Sequence, residues 1–239
     1  MTQTFLMCCP CHFGLERTLH FELSKIGATD ITVQDGRILF RGDYAVLAKA
    51  NLCLSTAERV LIQLGEFPAY TFEELFQGVK KLPLENWIGK DDAFPVKGHA
   101  LDSKLHSVPD CQSIIKKAAV ERLKLHYRTS WFSETGSIHQ IQFSLRKNIC
   151  AVYLDTSGTG LHKRGYRRNS NAAPIKETLA AGIIDLARVR SDSVLIDPFC
   201  GSGTFLIEAA FKATARAMRA AAAKDSRFPD EIPSSKGVL

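Results

Sequence analysis

The sequence predicts an α+β fold that runs, near residue 173, into the opening of an α/β unit. Three observations carry this. Short apolar segments alternate with amphipathic ones over residues 1–60. A second alternation follows, holding a long helical stretch from Pro109 to Tyr127. Finally LIDPFCGSGTFLIEAA, Leu195 to Ala210, passes from an apolar segment through a Gly-x-Gly turn into an apolar, Ala-rich run, the pattern of a strand, loop and helix. The chain has 239 residues, 45% apolar and 23% charged, enough for a sizeable core in an ordinary globular balance. No apolar run approaches the roughly 18–20 residues that span a bilayer. The N-terminal MTQTFLMCCPCHFGLE has no basic residues ahead of its apolar patch, which argues against a signal peptide. Seven scattered cysteines, an odd count, suggest reduced thiols and a cytoplasmic location. The net charge of +6 suits an anionic partner or a solvated surface, and clustering has to decide between them.

Along the chain, Phe5–Cys9 reads as a strand and Gly14–Ile26 as a helix, with Leu15, Leu19, Leu23 and Ile26 at helical spacing. Gly27 stops it. Ile31–Val33 and Ile38–Phe40 flank a turn at Asp35-Gly36, a hairpin signal, and Tyr44–Cys53 is helical again. This β-α-β-β-α order has the form of a ferredoxin-like unit over 1–60. A second unit, 61–157, opens with a strand near Val60–Leu64 and a helix over Thr71–Lys81. Strands at Phe94–Ala100, Ile138–Leu145 and Ile149–Leu154 surround the long helix, with Arg146-Lys147-Asn148 as a turn. Residues 158–172 read as a polar, basic linker. Residues 173–239 start with a helix from Pro174 to about Ala187 and a strand at Ser193–Ile196, which leads into the glycine loop.

In Asp197–Thr204, DPFCGSGT, Pro198 biases Asp197 toward an extended backbone that ends the strand. Gly201 and Gly203 allow a tight turn and a close ligand approach, and the next helix offers unpaired N–H groups to a carboxylate or phosphate. An acidic strand end repels phosphate and suits an ammonium group. A dinucleotide loop would need a third glycine where Leu206 stands, and a Walker loop would need Gly-Lys-Ser/Thr. A plain strand-to-helix connection is the alternative. S-adenosylmethionine carries both an amino and a carboxylate group on its methionyl tail.

The stretch DPFCGSGT followed by FLIEAA resembles the first cofactor motif of S-adenosylmethionine-dependent RNA methyltransferases that carry a THUMP domain. Upstream, LHKRGYR at Leu161–Arg167 and APIKETLAA at Ala173–Ala181 resemble two further signatures of that family, in its order. The resemblance implies a ferredoxin-like unit plus a THUMP domain, whose profile begins as early as residue 43, followed by the first βα unit of a Rossmann-like methyltransferase domain. The bacterial large-subunit (23S) ribosomal RNA guanine-N2 methyltransferases are the nearest type. Carried over by position, the resemblance implies that Asp197, Pro198, Phe199, Cys200, Gly201, Ser202, Gly203 and Thr204 hold the cofactor. Glu208 is then structural, while Lys176 and Glu177 lie near the cofactor in relatives.

Lys97–Arg128 holds seven Lys/Arg against three Asp/Glu. In its helical part Ile114, Ile115, Ala118, Ala119 and Leu123 face one side while Lys117, Lys124 and Arg128 share another, as phosphate contact requires. Periodicity alone equally allows a solvated helix. The resemblance of VKGHALDSKLHS and DCQSIIKKAAVERL to THUMP segments favours RNA, with Lys97 and Lys104 alongside. The linker adds Lys163, Arg164, Arg167 and Arg168 around Tyr166, a phosphate grip or a solubilising hinge. CCPCH at Cys8–His12 invites a metal reading, but no second Cys/His pair follows at suitable spacing, and residues 8 and 9 of a strand point to opposite faces. No metal is therefore expected.

The family's catalytic Asn/Asp-Pro-Pro-Tyr/Phe is not found, since the sequence contains no Pro-Pro. Nor is the acidic residue expected to hold the cofactor ribose. The expectation is a C-terminally shortened methyltransferase, inactive alone and binding cofactor weakly, with no catalytic residue of its own. The alternatives are an RNA-binding fragment without chemistry and a transfer-RNA guanine-N2 enzyme, with a DNA methyltransferase less favoured.

Overall fold

The computed structural model describes residues 3–166, 174–190 and 193–222. The chain forms two compact units, Met1–Tyr166 and Arg167–Leu239.

In the first unit, β1 (Phe5–Pro10) alternates so that Phe5, Met7 and Cys9 enter the core. The helix α1 (Glu16–Lys25) packs Leu19 and Leu23 against them. The Glu16 carboxylate accepts from Gly14 N (2.8 Å) and Gly36 N (2.9 Å), which ties the helix start to the hairpin of β2 (Thr29–Gln34) and β3 (Arg37–Gly42). At φ +71°, Gly36 takes the left-handed backbone that this turn needs. Asp43 caps α2 (Tyr44–Cys53), its Oδ1 accepting from Val46 N at 2.9 Å.

The strand β4 (Leu61–Pro68) leads to α3 (Phe72–Lys80), opened by a capping box of Thr71 and Glu74. Next come β5 (Val96–Leu101), α4 (Val108–Tyr127), β6 (Ile141–Arg146) and β7 (Ile149–Asp155). Lys147 and Asn148 at φ +50° and +63° form the tight β6–β7 turn. The parallel pair β5 and β6 requires a crossover, and α4 supplies it. It buries Cys111, Ile115, Ala118, Ala119 and Leu123.

The two units read separately from the sequence share one seven-stranded sheet, ordered β2-β3-β1-β4-β7-β6-β5. The seam is β4, which pairs with β1 through Met7↔Ile62 and Cys8↔Leu61 and with β7 along its whole length. A bare β1 edge would leave its N–H and C=O groups unpaired, and β4 satisfies part of that row. The helix-covered face holds two cores. Leu64 and Trp87 pack against both. On the opposite face Cys8, Leu61, Ala151 and Tyr153 form a smaller cluster to which no helix contributes.

The second unit contains α5 (Glu177–Leu186) and α6 (Thr204–Ala222). Lys212 pairs with Asp185, and Arg216 Nη1 donates to Val189 O at 3.0 Å. The strand expected at Ser193–Ile196 does not form. A strand exists only against a hydrogen-bonding neighbour, and this unit's described residues contain none, so Val194 and Ile196 lie 86% and 79% exposed.

Candidate cofactor loop and nucleic-acid interface

The glycine loop is shaped by its own backbone. Asp197 Oδ1 accepts from Phe199 N at 3.1 Å, an Asx turn that bends the chain past Pro198. Gly201 (φ +49°) and Gly203 (φ +71°) take left-handed conformations, and Gly203 N donates to Cys200 O at 2.6 Å. The Ser202 and Thr204 hydroxyls are 3.2 Å apart. From Gly203 O the first α6 bond runs to Ile207 N, so the first-turn amides of α6 point back toward the loop. A cavity of about 250 Å³ is lined by Pro174, Ile175, Phe199–Ser202, Thr204 and Phe205. Phe199 stands 93% exposed, Cys200 is a free exposed thiol, and Thr204 is buried. Asp197 Oδ2 is buried without a hydrogen-bond partner among the described residues. An orphaned carboxylate oxygen is costly unless a donor meets it.

The cationic residues read from the sequence fall into two groups. On α4, Lys117 is exposed, its Nζ 5.8 Å from the Phe76 ring centre, and Lys124 lies 3.5 Å from Glu121. Arg128 closes the helix in the left-handed region, φ +50°, with its N donating to Lys124 O at 2.9 Å. Lys97 on β5 is exposed and alternates onto the helix-free face with His99. Lys104 is exposed, its N held by Asn148 Oδ1 at 2.8 Å and its Nζ 5.5 Å from the Tyr70 ring centre.

The linker residues lie back on the first unit. Arg164 Nη2 donates to Ser55 O at 2.6 Å, and Leu161 N to Glu58 O at 3.0 Å. The Glu58 carboxylate sits between two imidazoles, 3.2 Å from His12 Nε2 and 3.5 Å from His162 Nδ1. Neither ring nitrogen is aligned for a hydrogen bond, so these are ion-pair distances only. Lys163 is exposed and Tyr166 half-buried, while Arg167 and Arg168 lie outside the described residues. Cys8 and Cys9 point to opposite faces, and burial pushes the Cys8 thiol up to about 12.

Sequence reasoning missed the helix-free face of the sheet. Arg37, His99, Ser144, Arg146 and Tyr153 share one cavity of about 310 Å³ there, though they come from four strands far apart in sequence. Only their common alternation parity, combined with the strand order, could have brought them together.

Comparison with known proteins agrees with this architecture. The profile of the RlmL ferredoxin-like domain matches residues 7–61, that of the THUMP domain 69–155, and that of the RMKL-like methyltransferase domain 164–233. Fold and loop together thus define a THUMP-type α+β module followed by a methyltransferase segment. The chain belongs to the THUMP-containing methyltransferase family of the RlmL type. It is 45% identical over 199 residues to the "Putative RNA methyltransferase YpsC" of Bacillus subtilis (strain 168), a match covering 82% of this chain and 51% of that protein. A solved structure named "a predicted N6-adenine-specific DNA methylase" from Listeria monocytogenes str. 4b F2365 superposes with a TM-score of 0.82 at 43% identity, over 89% of this chain and 56% of its own. SMU.472, "a putative methyltransferase complexed with SAH", superposes at 0.80 with 44% identity, over 89% and 56%. The chain thus spans about half the length of these relatives. Among the described residues no helix is long and apolar enough to cross a membrane.

Proposed function

We propose that this chain is the RNA-binding part and the first cofactor-binding segment of an S-adenosylmethionine-dependent RNA methyltransferase. Its target would be the exocyclic N2 of guanine in large-subunit ribosomal RNA. Residues 1–60 and 61–157 would hold RNA, 158–172 would link, and 173–239 would carry the cofactor loop. The observation that carries this is Asp197 Oδ2, buried and unpartnered beside two left-handed glycines. The ammonium of the cofactor's methionyl tail supplies the missing donor, and its carboxylate suits the first-turn amides of α6. Pro198 to Thr204 complete the loop around it. When bound, the cofactor supplies an electrophilic methyl group.

The protein's part in such a transfer is positional. The N2 lone pair is delocalised into the ring, so the amine has to be held in line by acceptors and an aromatic. Asn/Asp-Pro-Pro-Tyr/Phe does this in the family and is not in these 239 residues. The chain alone therefore binds cofactor weakly and transfers no methyl group. The THUMP match supports RNA, and the basic side of α4, with Lys117, Lys124 and Arg128, would meet phosphates, joined by Lys97, Lys104, Lys163, Arg164, Tyr166 and Arg167. The N6-adenine DNA name borne by one structural relative keeps a DNA target as the second reading.

The test uses two exposed thiols. Millimolar S-adenosylhomocysteine is expected to slow alkylation of Cys200 in the loop while Cys53 on α2 reacts at an unchanged rate. Asp197→Asn should abolish that protection. Equal protection in wild type and variant, or methyl incorporation into ribosomal RNA by the chain alone, would sink the reading.

A further inference from the structure

The helix-free face of the sheet carries two adjoining cavities, of about 310 and 480 Å³, and Asp35, Arg37, Ser144 and Arg146 line both. Both arginines are half-buried. Among the described residues Arg37 has one side-chain partner, the neutral Tyr153 hydroxyl, to which its Nη1 donates at 3.4 Å. The Arg146 guanidinium has no hydrogen-bond or ion-pair partner among the described residues. A partly desolvated cation without a counter-charge is costly to hold unless an anion arrives. The nearby acids do not supply it. Asp35, Glu66 and Asp102 are all exposed, and none pairs with either arginine. The rest of the floor is uncharged. Burial pushes the Cys8 thiol and the Tyr153 phenol up, while burial and Arg37 hold His99 below its usual range. The Ser144 Oγ is 3.0 Å from His99 Nε2. At the rim Lys147 adds a third cation, and the Phe13 ring, 79% exposed, stands beside the Gly36 turn.

We propose that this cleft binds a single-stranded RNA segment, with phosphates at Arg37 and Arg146 and a base on Phe13. The inference rests on the RNA reading above and adds a second contact surface, separate from α4. Recessed arginines and an exposed aromatic ring suit a slender, unstacked strand, whose bases can turn onto a ring. A duplex presents its phosphates on a broad convex surface and cannot reach that floor.

Fluorescence anisotropy of the full chain with a labelled single-stranded oligoribonucleotide, beside a duplex of equal length, tests it across a salt series. Arg37→Ala with Arg146→Ala should weaken single-strand binding by about tenfold or more. The salt slope should fall by about 1.4, as two lost phosphate contacts require. Duplex binding should stay within about twofold, since it would use other phosphate contacts. The Arg37→Lys, Arg146→Lys pair should keep the wild-type slope, a rescue that charge explains and packing does not, and it carries the test if the alanine pair unfolds. Lys117→Ala with Lys124→Ala separates the two surfaces. If the wild type binds no RNA, the broader reading falls with this one. If it binds single strands and the alanine pair binds them equally, only the cleft is overturned. Displacement by inorganic phosphate as effective as by unlabelled strand would make the cleft a plain anion site and also overturn the proposal.

Discussion

Asp155 shows what a single residue can hold together. Its side chain is fully buried at the end of β7. Arg59 Nη1, Gln142 Nε2 at 2.8 Å, Gln140 Nε2 at 3.2 Å and Ser157 N at 2.9 Å all donate to it. These donors come from both halves of the first unit and from the chain leading into the linker, so one carboxylate ties the seam strand to its surroundings. Asp155→Ala removes the counter-charge of a half-buried guanidinium and the acceptor of two amides. Among the described residues Arg59 Nη1 then keeps only Gly158 O, at 2.8 Å, and about 3–5 kcal/mol of stability should be lost. Urea unfolding would read this as a shift in midpoint at constant slope, and a loss under about 1 kcal/mol would contradict the assignment. Nothing in AVYLDTSG marks that aspartate as buried, because its donors are distant in sequence. The turn at Asp197 is local by contrast: its Asx bond, its glycines and the helix that follows are contiguous in sequence.

Among the elements, α4 was the most legible, because twenty residues repeat one apolar face. Its anchoring was not. Arg122 grips Glu85 in a two-pronged ion pair, Nε to Oε2 at 2.9 Å and Nη2 to Oε1, and Tyr127 Oη donates to Ile88 O at 2.8 Å. The hydrogen bonds from Arg122 hold the Glu85 carboxyl below the usual range against a smaller opposing effect of burial. A depressed carboxylate contributes stability that is fully present above the unfolded glutamate value, near 4.3, and is lost as pH falls through the lower folded value. Thermal midpoints of the wild type should therefore drop on acidification below about pH 4, and Glu85→Gln should flatten that limb while lowering the plateau at neutral pH. An unchanged acid limb in the variant would show that the pair is not its source. The expected strand at Ser193–Ile196 failed at this same scale. Its apolar residues have the right chemistry, but the neighbour that would pair with them is not among the described residues of its unit.

At the scale of the molecule, the sheet makes one body of what reads as two. Since β4 pairs on both sides and Trp87 packs on both cores, the ferredoxin-like and THUMP halves should unfold together. Trp87 fluorescence, read in a Trp131→Phe background, and far-ultraviolet circular dichroism of residues 1–166 should give superimposable denaturation curves. Two resolved transitions would refute a shared sheet as the source of cooperativity. The sequence by itself determined the element order of the first unit, the amphipathic faces, the hairpin turns and the family, because each is written in contiguous residues through 2.0 and 3.6 periodicities and local turn chemistry. Only the tertiary structure decided that β4 joins the halves, that the linker's His162 and Arg164 fold back on Glu58 and Ser55, and that Arg37 and Arg146 meet across a helix-free cleft. Each of those depends on strand order and on partners distant along the chain, and local spacing carries no information about which distant edges will pair.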